Sequence, residues 1–296
     1  MSVHLALLEE HTGFRRAQSR LEHATQRTLR SGQPLRAGIT VIPVVVNVLW
    51  RTSSENISDA QVHSQIAVLN RDYRATNSDL RNVPAPWKAL ASDTRLQFRL
   101  ATTDPSGKKT TGIQHVKTTK SVYAADDSMK RIKSGGTAAW PTDRYLNIRV
   151  CSLTGGLLGY AQFPGGPKNT DGVVILNTAF GTTDSARAPF NLGRTTTHEV
   201  GHWLNLRHIW ADTEDCAGSD YVNDTPNALG PNYGKPTFPT MSCRNGPNGD
   251  MFMNYMDYVD DDSMYMFTAL QVARMHASLN GARSAIGTPL APPRRA

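Results

Sequence analysis

The chain has 296 residues, 39% of them hydrophobic and 19% charged, enough apolar content for one large domain or for two lobes around a cleft. Its net charge of +7 comes from Lys and Arg spread along the chain, densest in residues 15 to 36 and in the tail "PPRRA"; with no nucleic-acid motif beside them they read as solvated basic surface, not as a nucleic-acid interface. No apolar run approaches the roughly eighteen residues of a membrane span, and "MSVHLALLEEHTGFRR" lacks the basic, apolar and small-residue regions of a secretory signal.

Residues 1 to 36 read as a basic helical leader, with Leu5, Leu8, Phe14 and Leu21 as apolar anchors for packing on something else. "ITVIPVVVNVLW" (39 to 50), β-branched and broken only by Pro43 and Asn47, predicts a buried strand. A helix follows, opened by Ser58 with Gln61 in a capping-box pattern and with Val62, Ile66, Leu69 and Tyr73 on one face. Further strands are expected at 95 to 102, 145 to 153 and 171 to 177, separated by turn-rich segments such as "DPSGKKTTG". Cys151, inside a strand, reads as an inert buried thiol. Two more helices are expected, one over "HEVGHW" and one from Thr268, again with Gln three residues on. Between them, the Gly/Pro/Asn-rich stretch 211 to 250 holds Cys216 and Cys243, where a crosslink would stabilise a long loop and imply an oxidising compartment.

"HEVGHWLNLRH" (198 to 208) carries the chemistry. On a helix His198 and His202 share one face and can reach one ion, while Glu199, about 100 degrees round the axis, can reach only a water on that ion. Asn205 tolerates the left-handed backbone that ends a helix, so the chain can turn and bring back His208 as a third nitrogen. Three neutral imidazoles leave the ion its full charge, which suits zinc and hydrolysis. The other six histidines, His4, His11, His23, His63, His115 and His276, are isolated and read as surface or satisfied core residues.

This motif, with "MNYMDY" (253 to 258), resembles the metzincin zinc peptidases. "GLLGYAQFPGG" (156 to 166), "DGVVI", "DYVNDTP" (220 to 226) and "DMFMNYMDYVDDDSMYMFT" make it similar to the pappalysin family, in particular to its bacterial cytophagalysin- and ulilysin-like members, over about residues 39 to 280. The resemblance implies an α+β metzincin-like catalytic domain: a twisted, mixed five-stranded sheet with an active-site helix, and upper and lower lobes around a horizontal cleft. It makes residues 1–36 a leader acting as a pro-segment and 37–296 the catalytic domain, with an upper lobe to about 205, a lower lobe about 206–285 and a tail 286–296. It also implies His198, His202 and His208 as zinc ligands, Glu199 as general base then acid, Met256 as the floor under the metal, and Tyr258 as a hydrogen-bond donor to the tetrahedral intermediate. The implied activity is an extracellular endopeptidase acting on protein or peptide substrates, with no nucleic-acid or membrane partner.

The likeness further implies a Cys216–Cys243 disulfide, calcium near Asp220, Asp224 and Thr225, and Asp262 lining the pocket for the residue after the scissile bond, hence a preference for Arg or Lys there. Turn hydrogen bonds at 220 to 225 and capping or solvated aspartates at 257 to 262 are the competing readings. Two departures stand out. Ser263 replaces an expected cysteine, so a second crosslink is missing, and the leader lacks the Cys-Gly-Thr stretch whose cysteine can cap zinc. Two other functions remain in view: a gluzincin-type peptidase with Asp220 or Asp224 as third ligand, and a non-catalytic binding module.

Overall fold

In the computed structural model, which describes residues 8, 12–32 and 35–287, a twisted sheet carries helices on one face and loops on the other. The leader helix α1 (Thr12–Arg30) precedes β1 (Thr40–Trp50), α2 (Asp59–Tyr73), β2 (Leu96–Leu100), β3 (Ile113–Lys117), β4 (Leu146–Cys151), β5 (Gly159–Ala161) and β6 (Val173–Leu176). The active-site helix α3 (Arg194–Trp203), a two-residue pair β7 (Tyr233–Gly234) with β8 (Tyr258–Val259), and α4 (Ala269–Asn280) complete the order. Leu5 and most of the expected tail lie outside the described residues, and no helix among those described is long and apolar enough to cross a membrane.

The sheet order is β2-β1-β4-β6-β5, with β3 also paired to β1. β2 matches Thr40–Val44 and β3 matches Val46–Trp50, so the two lie end to end along β1 and the sheet is five positions wide. All of these pairings are parallel except β5 with β6, which leaves β5 as an antiparallel edge. β3 was absent from the sequence expectation: "IQHVK" is only partly buried and so lacks a clear apolar alternation.

β1 is apolar along its length because both its faces are covered. Val44, Val46 and Val48 join Ile148, Val150, Val173 and Ile175 under α2 and α3, whereas Val45 and Leu49 pack the opposite face with Tyr145, Met129, Cys151 and Tyr160. Ser58 caps α2 by accepting from the Gln61 amide at 3.0 Å. The reciprocal half of that box does not form, because the buried Gln61 side chain donates instead to the Phe180 carbonyl at 2.7 Å and ties α2 to the loop before α3. Thr268 and Gln271 do form a full capping box on α4. α2 then fixes α3: Tyr73 donates to the Thr197 carbonyl, Thr197 to Asp72, and Gln65 to the carbonyl of Gly193.

α1 lies against α4. Arg274, fully buried on α4, forks onto Glu22 at 2.8 and 2.5 Å and donates its third nitrogen to the Asn205 carbonyl at 2.7 Å. Gln18 reaches the Pro164 carbonyl, and the Asn205 amide reaches Thr25. Beyond the leader, Arg36 donates to carbonyls of Leu279, Ser284 and Ile286 past the end of α4. Cys216 and Cys243 form a disulfide, and Cys151 is buried and free.

Candidate active site

α3 is buried throughout and ends as its sequence requires. Asn205 has φ +80; its amide donates to the His202 carbonyl and that of Leu206 to the Gly201 carbonyl, each at 2.9 Å, which is the Schellman closure with asparagine in the left-handed position. The chain then doubles back and delivers His208. Its Nε2 lies 3.1 Å from Nε2 of His198 and 3.1 Å from Nε2 of His202.

Each Nδ1 in this cluster faces an oxygen: Tyr255 O for His198 (2.7 Å), Leu206 O for His202 (2.8 Å) and Asp212 Oδ1 for His208 (2.6 Å). The Nδ1 positions therefore carry the protons, and three Nε2 lone pairs converge with no proton among them, an arrangement that repels itself unless a cation sits at the centre. Donors about 2.05 Å from one tetrahedral ion stand about 3.3 Å apart, close to the spacing seen. Burial keeps the imidazoles neutral, pushing His198 down to about 4 and the other two well below 6.5. The donor set fits zinc, and among the described residues it is the group of metal-ligating side chains that gathers.

Glu199 points into the cleft beside the cluster. Burial pushes its carboxyl up to about 7, and Oε2 has no hydrogen-bond partner in the protein. Gly159, on the edge strand, makes room for it: a Cβ there would stand 3.0 Å from Glu199 Cγ and 2.9 Å from the Val174 carbonyl. Met256 lies fully buried under α3, in a turn where the amide of Asp257 donates to the Asn254 carbonyl, and a Cβ on Gly201 would meet its sulfur at 2.5 Å. The Tyr258 ring stands 4.6 Å from that of His208 and lines the cleft with Glu199, and burial pushes its hydroxyl well above the usual range.

The cleft holds about 380 Å³ between the β5 segment and the Met256 turn, with Asp261 at its far side. Asp262, the residue expected there, points outward to the exposed Lys235. Asp261 takes its place. It is 1% exposed, accepts from the Leu192 amide at 2.7 Å, and is pushed by burial up to about 6. The short 3-10 turn over Asp261–Ser263 turns consecutive carboxylates to opposite sides.

At the expected calcium position the structure brings together Asp220 and Thr225, whose hydroxyl donates to Asp220 at 2.7 Å, but sends Asp224 to cap α4 through Thr268 and the Leu270 amide. These are turn and cap hydrogen bonds, and they also remove both aspartates from the histidine cluster, so the gluzincin arrangement is not the one formed. His115 and His276 are satisfied elsewhere, the first by Asn56 and Asp59, the second by Arg36 N–H and the Thr94 carbonyl.

Comparison with known proteins agrees with this geometry. The peptidase family described as pregnancy-associated plasma protein-A matches residues 129–280. An extracellular metalloprotease of Verticillium alfalfae is 35% identical over 90% of this chain and 84% of its own length, and one of Colletotrichum graminicola is 31% identical over 79% and 76%. Among solved structures, mature mirolysin of Tannerella forsythia in complex with a cleaved peptide is 46% identical, with a TM-score of 0.82, covering 86% of this chain and 100% of its own. A mutant of Tannerella forsythia promirolysin is 41% identical, with a TM-score of 0.90 and 97% coverage of both chains.

Proposed function

The chain belongs to the pappalysin family of metzincin metalloendopeptidases, and from that premise we propose that it hydrolyses peptide bonds with Glu199 as the proton carrier and favours Arg or Lys after the scissile bond. His198, His202 and His208 would hold zinc, which when bound supplies Lewis acidity toward a water and toward the substrate carbonyl. The observation that carries the reading is Glu199 Oε2, buried and unpartnered beside three converging imidazole lone pairs. A carboxyl poised near neutrality there takes a proton from the attacking water and returns it to the leaving amine. Tyr258 donates to the developing oxyanion. The substrate runs extended along the free edge of β5, whose Gly159 leaves the backbone open to approach.

The specificity follows from charge at the end of the cleft. Arg194 is surrounded by carboxylates, Asp79 at 2.6 Å and Asp72 at 3.7 Å, and it donates to the Asp261 carbonyl. One guanidinium does not balance three carboxylates, so a basic side chain of the substrate completes the set. Residues 1–36 fit an inhibitory pro-segment ahead of the catalytic domain, 37–296: mature mirolysin, matched along its whole length, covers less of this chain than promirolysin does. None of α1 lines the cleft, so blocking falls to residues before Thr12. The disulfide and the extracellular relatives support a secreted enzyme.

The test is zinc content by mass spectrometry with casein cleavage for the parent chain and for Glu199→Ala. The variant should keep about one zinc per chain while turnover falls by several orders of magnitude; near-normal cleavage by it would overturn the mechanism. Digestion of a peptide library should show Arg or Lys after the cut, weakened in Asp261→Asn and unchanged in Asp262→Asn. A preference for large apolar residues at that position would overturn the specificity.

A further inference from the structure

The three imidazoles are not held alike. His198 and His202 ride on α3 and pass their Nδ1 protons to main-chain carbonyls. His208 lies between Asn205 and Trp210, in no helix or strand, so its main chain does little to set the plane of its ring. Two side chains do so instead. Trp210 stacks on it, with ring centroids 4.1 Å apart and an interplanar angle of 11°, and Asp212 faces its Nδ1 at 2.6 Å.

Bringing Asp212 back to a residue only four positions earlier needs an unusual backbone. The Ala211 amide closes a turn onto the His208 carbonyl at 2.9 Å, and Ala211 and Asp212 then both take the left-handed conformation, with φ +60 and +58. Residues with a Cβ adopt that conformation singly at some cost, and a consecutive pair without glycine persists only where the surroundings impose it. What the turn achieves is the contact between the carboxylate and His208.

We propose that Asp212 is a positioning residue of the zinc site, a charged acceptor that fixes the tautomer and plane of His208 and so sets how tightly the third ligand holds the metal. The proposal rests on the reading of the cluster as a zinc site. An anion on Nδ1–H makes Nε2 a stronger donor than a neutral carbonyl does, and a partner of this kind influences metal affinity about 10- to 100-fold. The side chain is mostly buried, so water does not screen the pair away.

The test measures zinc dissociation constants by competition with a chromophoric chelator, and cobalt(II) absorption spectra, for the full chain carrying Glu199→Ala with Asp212→Ala or Asp212→Asn added. Zinc should bind about 10- to 100-fold more weakly in Asp212→Ala. Asp212→Asn, which keeps an acceptor but loses the charge, should lose less, and the cobalt spectrum should shift in both. In a His208→Ala background, Asp212→Ala should cause no further loss, whereas a merely structural role would cost the same with and without His208. Zinc affinity within threefold of the parent in both variants, or an equal loss in the His208→Ala background, would overturn the proposal. A parent chain that binds no zinc would instead overturn the reading beneath it. If Asp212→Ala does not fold, Asp212→Asn carries the comparison.

Discussion

Replacing Gly201 with alanine sets two effects of opposite sign against each other. Gly201 lies inside α3, where alanine is intrinsically favoured over glycine by about 1 kcal/mol. The new methyl would stand 2.5 Å from Met256 Sδ and 3.6 Å from Leu206 Cδ1. Comfortable contacts begin at about 3.5 Å, so the sulfur must retreat by about 1 Å. Met256 is fully buried and has no solvent to swing into, and overpacking of this kind costs about 1 to 3 kcal/mol. The clash should therefore win by about 1 kcal/mol, a fall in melting temperature of about 2 to 4 °C. The disturbance continues into the metal site, because Tyr255, next to Met256, supplies the carbonyl that holds His198. Zinc affinity should drop with stability. Calorimetry and zinc competition in a Glu199→Ala background measure both without self-digestion. Adding Met256→Ala to Gly201→Ala should cost less than the sum of the two single changes, by more than about 0.5 kcal/mol. A Gly201→Ala chain that melts higher with unchanged zinc affinity, or strict additivity of the pair, would refute the reasoning.

The Cys216–Cys243 bond closes a loop of 27 residues, so replacing both cysteines with serine should cost about 3.5 kcal/mol on the loop-entropy relation, read by denaturant unfolding; an unchanged midpoint would contradict this. At Glu22 burial pushes the carboxyl up, but the Arg274 fork outweighs it and holds the group below 4.5. The stability that this pair lends to α1 is therefore present above about pH 4.5 and lost as pH falls through the lowered value. Hydrogen exchange of α1 should quicken on acidification, and already at neutral pH in Glu22→Gln. Burial pushes the Cys151 thiol up to about 12, so folded protein at pH 8 should resist alkylation there and unfolded protein should not. A catalytically intact chain should shorten by cleavage among Arg30 to Arg36 and gain activity, while Glu199→Ala stays whole; full-length chains in both would make the leader purely structural.

Where one residue type can do only one thing at its position, the sequence was legible. His198 and His202 need only the helical repeat to share a face, and Asn205 is among the few residues able to end α3 in the left-handed conformation. Thr268 with Gln271 announced α4 by the same local logic. What the sequence hid depends on long-range return of the chain. Asp212 reaches His208 through left-handed residues at 211 and 212 that carry no glycine to signal them. The pocket carboxylate differs from the expected one by a single position, because the turn at 261 to 263 decides which aspartate faces inward and no periodicity reports a turn that short. β3 escaped because its register is set by the far half of β1, not by its own alternation. Gly159 looked like one of several loop glycines until the Glu199 carboxylate was seen against it.

The unpaired edge at β5 has a consequence for which proteins can be attacked. A strand edge can be joined only by a backbone that has surrendered its own hydrogen bonds, and the cleft opposite leaves no space for a helix or a paired hairpin. Natively structured targets must first open locally at the cut site, so their cleavage rate scales with the population of that opened form. Each additional ~1.4 kcal/mol of local stability in a target then slows its destruction about tenfold, whatever residue follows the scissile bond. Two proteins with identical cut-site sequences would be digested at rates set by how often each breathes, and the enzyme would act in a mixture as a gauge of foldedness as much as of sequence.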